Sequence, residues 1–125
     1  METKIIEIFR EISRKCVEAY RRFGSNGHDR DNLNDAIMKI GAYYGISLFD
    51  RIWFNNHSEA KNSPELIFAT ALHLSSNELD IVILRNTKFI GGFVIDEEGV
   101  VSFNANYDKN GIALIHEEDI LKALS

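Results

Sequence analysis

The stretch LDIVILRNTKFIGGFVIDEEGVVSFN, residues 79–104, decides the fold class. Leu79 to Leu84 is rich in β-branched and aliphatic residues and reads as a strand. Asn86-Thr87-Lys88 turns the chain, and Phe89 to Ile95 forms the next strand. Asp96-Glu97-Glu98-Gly99 is a hairpin turn, after which Val100 to Asn104 pairs back. Gly91-Gly92 interrupts the middle strand. A phosphate-cradling loop needs further glycines with a lysine and Ser/Thr opening a helix, and these are absent. The glycine pair therefore reads as a β-bulge or a close approach of neighbouring backbone.

Downstream, Asp108-Lys109-Asn110-Gly111 is a second turn, Ile112 to Ile115 a short strand, and Glu117 to Leu124 a closing helix whose acidic start suits the helix dipole. Upstream, Leu66 to Leu74 is apolar almost throughout, and periodicity leaves it open between buried helix and strand. Ser63-Pro64-Glu65 before it has the form of a helix start. Ile46 to Phe54 lacks a helical period and is rich in β-formers, which predicts a strand.

The N-terminal third is helical. Ile5, Ile8, Phe9, Ile12, Cys16, Ala19, Tyr20 and Phe23 recur at spacings of three and four, and Gly24 supplies a left-handed stop. Ser25-Asn26-Gly27-His28 is a loop. Asp29 or Asp31 caps a second helix that runs to about Tyr44, carries Leu33, Ile37, Ile40 and Tyr44 on its core face, and ends at Gly45. The expected fold is α+β: an N-terminal helical hairpin packed on an antiparallel β-meander, with a short C-terminal helix, all in one domain spanning residues 1–125. Ile8, Ile12, Leu33, Ile37, Ile40, Ile83, Val94 and Phe103 are the expected core.

Composition narrows the function classes. The chain has 125 residues, 45% hydrophobic and 26% charged, with one proline. That is ordinary for a globular domain and far from a disordered chain. Neither a signal-peptide core nor an apolar run near the roughly 20 residues of a membrane span is present, so the expected compartment is the cytoplasm, without membrane contact. Residues 1–45 carry 8 Lys/Arg against 7 Asp/Glu, whereas residues 46–125 carry 6 against 12. An acidic C-terminal half repels phosphate backbones, which argues against a nucleic-acid partner, and it favours encounter with a basic protein surface.

No catalytic set is visible. Cys16 is the only cysteine and falls on the apolar stripe of the first helix, where it reads as a small buried hydrophobe. His28, His57, His73 and His116 lie far apart, so no metal-ligand spacing is seen, although a fold could gather some of them with a carboxylate. Asn106, Asp108, Asn110, Gly111 and Glu117 are spaced as in a calcium loop. Position one lacks its charge, however, and a strand rather than a helix precedes it, so the segment reads as a turn. No cofactor and no metal are expected. Tyr43-Tyr44 and Trp53-Phe54 are adjacent aromatic pairs, and neighbouring residues point in different directions, so Tyr43 and Trp53 are the candidates for interface anchors.

A small, acidic, single-domain chain without catalytic chemistry resembles the bacterial immunity proteins of contact-dependent growth-inhibition toxin systems. The resemblance is one of overall character across the whole chain and rests on no motif. It implies a protein that binds and blocks a basic, nuclease-type toxin domain, with carboxylates standing in for substrate phosphates. Asp96, Glu97, Glu98, Glu117, Glu118 and Asp119 are the expected contacts, because they cluster at a turn and a helix start where side chains reach solvent. Two other readings stand beside it. One is an adaptor or regulatory subunit of another cellular protein, and the other is a small-ligand binder or enzyme whose site assembles only in the fold. A binder should present carboxylates and aromatics on one flat face, whereas an enzyme should hold titratable groups with shifted pKa values in a deep pocket.

Overall fold

A computed structural model describes residues 1–24, 29–57 and 63–125. The loop expected at Ser25 to His28 lies outside the described residues. The elements are α1 (Thr3–Phe23), α2 (Arg30–Tyr43), β1 (Ser47–Asp50), α3 (Arg51–Asn55), β2 (Ile67–His73), β3 (Glu78–Arg85), β4 (Lys88–Ile95), β5 (Val101–Ala105) and α4 (Glu117–Ala123). The class is α+β, with two N-terminal helices, a five-stranded sheet in the order β1-β2-β3-β4-β5, and a short C-terminal helix. The sheet is mixed: β1 runs parallel to β2, and the other neighbours are antiparallel.

The first helix follows its sequence pattern. Ile5, Phe9, Ile12, Cys16, Ala19 and Tyr20 are buried along one stripe, and Gly24 stops the helix at φ 74° with its N–H on the Tyr20 carbonyl. That positive φ is the reason a glycine stands there. Asp29 occupies the cap position of α2 without a side-chain hydrogen bond to the helix.

The segments Ile46–Phe54 and Ser63–Glu65 differ from their sequence reading. Ile46 to Phe54 is strand only as far as Asp50. There the Asp50 Oδ2 accepts the Trp53 N–H at 2.9 Å and caps a short helix, so the second half of the segment turns away from the sheet. Ser63-Pro64-Glu65 starts no helix. Its serine Oγ accepts the Glu65 N–H as a local turn, and Leu66–Leu74 resolves as strand β2. β3 pairs with Ile67–His73 on one side and β1 with Ile67–Thr70 on the other, and these backbone partners outweigh the weak local signal.

The hairpin turns fall where the sequence puts them. Asn86 and Thr87 both take positive φ, 52° and 67°, between the paired residues Arg85 and Lys88. This is the two-residue hairpin geometry that matches strand twist. The segment expected as strand Ile112 to Ile115 is reduced to a single bridge, Tyr107 to Ala113. The Asp108 Oδ1 accepts the N–H groups of Asn110 and Ile112, so this carboxylate serves its own turn.

The core lies between the helices and one face of the sheet. Phe9 stacks on Phe93 at 4.0 Å between ring centroids and tilts against Phe68 at 5.9 Å. Ile12, Leu33, Ile37 and Ile83 are buried, and Ile8, Ile40 and Phe103 pack half-buried against them. Val94, expected in the core, faces the other way. The register shifts between Ile83 and Leu84, so that Ile83 pairs with Gly91 and Leu84 with Phe89. This bulge leaves Ile90 and Gly91 both on the inner side. The alternation then flips, sending Phe93 inward and Val94 outward. Both glycines are crowded as well. A Cβ on Gly92 would lie 2.7 Å from the Ile81 carbonyl, and one on Gly91 would lie 2.9 Å from that of Asn104.

Candidate functional site

The outer face of the sheet follows from the register. Phe49, Ala69, Val82 and Gly92 lie in one row, with Ala71, Asp80, Val94 and Ser102 in the next. Val82, Leu84 and Val94 are half-exposed here, and Phe89 is 48% exposed. Among the described elements, α3 packs on this side, at its β1–β2 margin, where Phe54 and Ala69 are buried. Arg51, Phe54, Ala69, Val82, Leu84 and Phe89 line a shallow depression of about 200 Å³. Trp53 stands at the same margin. Its ring is parallel to that of Phe49 at 5.7 Å and to that of His57 at 3.8 Å, and its Nε1 donates to the Asp31 carboxylate at 3.1 Å. Tyr43 is elsewhere. It is 75% exposed on α2, beneath the Lys15 ammonium at 4.7 Å from its ring.

The six carboxylates read from the sequence separate into two groups at opposite ends of the sheet. Asp96 to Gly99 joins β4 to β5 beside the β2–β3 turn, and Glu97 faces Asn77 across 3.5 Å. The α4 group stands at the other end, where Asp119 lines a groove with Pro64, Glu65 and Arg85. Three of the six accept backbone N–H groups. Asp96 accepts the Val100 N–H, Glu117 accepts the Glu2 N–H at 2.8 Å, and Asp119 accepts the His116 N–H. Glu97, Glu98 and Glu118 are exposed. A groove of about 360 Å³ also brings Arg10, Arg14 and Arg21 of α1 to the Asp96–Gly99 turn, and the Arg10 Nε donates to the Gly99 carbonyl at 2.9 Å. Positive charge therefore borders this turn on its helical side.

Groups with displaced pKa values do not form a pocket among the described residues. Burial pushes the Cys16 thiol up to about 12. Burial and, after it, the neighbouring Asp50 charge raise the Tyr20 hydroxyl. Tyr20 belongs to an internal polar cluster that the sequence reading missed. Its hydroxyl donates to the Asp50 Oδ1 at 2.7 Å and lies 3.0 Å from the Thr70 carbonyl. The buried Asp50 also receives Arg30 at 3.0 Å and the Trp53 N–H, and the Asn34 side chain accepts the Asp50 N–H at 2.8 Å. The cluster ties α1, α2, β1 and β2 together and is spent on its own members. The hydrogen bond from Arg14 holds the Glu11 carboxyl below its ordinary range, on the exposed surface of α1.

One set of metal-ligating side chains, His73, Glu78 and Asp80, comes together on the outer face. One ligand atom from each lies within 4.8 Å of the others. Of the other described histidines, His116 stands at the cap of α4, and the His57 Nδ1 lies 2.7 Å from the Trp53 carbonyl. No described helix is long and apolar enough to cross a membrane. No protein-family model, no curated protein and no solved structure matches this chain.

Proposed function

We propose that this chain is a protein-binding module that seats a partner on the open face of its sheet, and that the partner is a basic toxin domain held inactive by it. The supporting observation is the row of half-exposed apolar side chains at Val82, Leu84, Phe89 and Val94, bordered at one end by Glu78, Asp80, Glu97 and Glu98. An apolar centre with a charged rim is the anatomy of protein interfaces. The excess of acidic over basic residues in positions 46–125 favours a basic partner, whose approach it accelerates. The contact set is accordingly narrower than the sequence reading. Glu97, Glu98 and Trp53 belong to this end or margin of the face, Asp96 shares the turn but accepts the Val100 N–H, and Glu117, Glu118, Asp119 and Tyr43 lie away from it.

The test starts with affinity capture from source cells, followed by kinetics with the purified partner. Association should slow markedly as salt rises from about 50 to 500 mM, because the Debye length falls to a few ångströms. Glu97→Lys with Glu98→Lys should slow association at low salt. Leu84→Asp should instead speed dissociation and weaken the complex about thirtyfold, or about 2 kcal/mol, as expected of a central contact. An acidic partner, or association indifferent to salt and charge reversal, removes the electrostatic part of the reading. A complex untouched by Leu84→Asp removes the open face.

A further inference from the structure

We propose that His73, Glu78 and Asp80 form a site for a divalent transition-metal ion, with zinc as the representative. This goes beyond the binding role above and does not depend on it. The three residues come from the two strands flanking the β2–β3 turn. His73 and Glu78 are direct cross-strand partners, and Asp80 follows Glu78 by two residues, so the pleat sets all three on one face. The strands are paired from Ile67 to His73, which fixes the positions from which the ligands project. The His73 Nε2 already lies 2.7 Å from the Asp80 Oδ2. The other oxygen of Asp80, Oδ1, is buried and meets no hydrogen-bond donor among the described residues, so this carboxylate keeps an unfilled acceptor. A cation would fill it.

The donor set narrows the ion. An imidazole nitrogen with two carboxylate oxygens suits zinc and its neighbours, whereas magnesium and calcium prefer oxygen alone. Zinc holds such ligands at about 2.0–2.2 Å in a tetrahedron, which needs donor atoms nearer one another than the present 4.8 Å limit. Half of the His73 side chain is exposed, so rotation about its side-chain bonds closes the gap without moving the strands. Three protein ligands leave the fourth position to water.

The test is a calorimetric titration of the intact chain with zinc alone, paired with an NMR record of the histidine ring signals. One zinc should bind, and the His73 ring signals should shift and saturate at one equivalent. His73→Ala should weaken binding about tenfold or more, and Asp80→Asn similarly. Glu78→Gln is the discriminating variant, because it leaves the His73–Asp80 pair intact and should still weaken zinc about tenfold. Magnesium should produce no shift of the His73 signals. Absence of saturable zinc binding, or binding that survives both His73→Ala and Glu78→Gln, overturns the site and leaves His73 and Asp80 as a surface hydrogen-bonded pair. Equal binding of magnesium overturns the ion class.

Discussion

On strand β3, Leu79, Ile81 and Ile83 are buried beneath the helices, while Asp80, Val82 and Leu84, their immediate neighbours, stand half-exposed on the other side. The two faces use much the same aliphatic side chains. What separates them is the cover: α1 lays Phe9 and Ile12 over the inner face, whereas among the described elements the outer face receives the short α3 at one margin. Burial, and hence stability, accumulates on the covered face. The open face leaves apolar surface at Val82, Leu84, Phe89 and Val94 half-exposed or exposed.

The largest test of this contrast is Phe9→Ala, which removes the ring that contacts both Phe68 and Phe93. It should cost about 3–5 kcal/mol in denaturant melts, whereas Val82→Ala on the open face should cost under about 1 kcal/mol. Similar losses at the two positions would mean that the outer face is also packed, and the interface reading would lose its basis. A smaller effect is expected at the polar cluster beneath the helices. Tyr20→Phe removes the donor that serves Asp50 and the Thr70 carbonyl and should cost about 1–3 kcal/mol, measured the same way. An unchanged midpoint would show that the cluster contributes no net stability.

Cys16 offers the finest measurement, because its burial can be read through pH. Its folded pKa is raised to about 12, so the unfolded chain loses the thiol proton first. Stability from this group is therefore complete below the ordinary thiol range and is lost as pH rises from about 9 toward 12. Between about pH 9.5 and 11, wild-type stability should fall more steeply than that of Cys16→Ala, by up to about 1.4 kcal/mol per pH unit. Parallel curves would show that solvent reaches this part of the covered face.

The candidate face is only partly legible in the sequence. Trp53 stands out by its pairing with Phe54, and the carboxylates of Asp96 to Glu98 by their turn. Val82, Leu84 and Val94 are not separated from core residues, because LDIVIL is nearly continuous in apolar residues and hides its own alternation. Asp80 is the available signal. A charge inside a strand marks the outward phase, and counting by two from it reaches Val82 and Leu84. Nothing local foretold the bulge at Ile90–Gly91 that turns Val94 outward, beyond the glycine pair itself.

By itself, the sequence determined the elements whose evidence is local. The first helix follows from apolar residues every third or fourth position and a glycine stop. The β3–β4–β5 meander follows from turn residues that set the pairing of adjacent strands. Tertiary structure decided what depends on residues distant in the chain. It made Ile67–His73 a strand by giving it partners on both sides, and it ended β1 at Asp50, where Tyr20 and Arg30 hold the carboxylate that caps the next helix. It also parted Asp96–Glu98 from Glu117–Asp119 and gathered His73, Glu78 and Asp80 on one face. The physical reason is that local propensity acts within a few residues and is worth a fraction of a kilocalorie each, whereas pairing and burial act between segments brought together only by the collapsed chain.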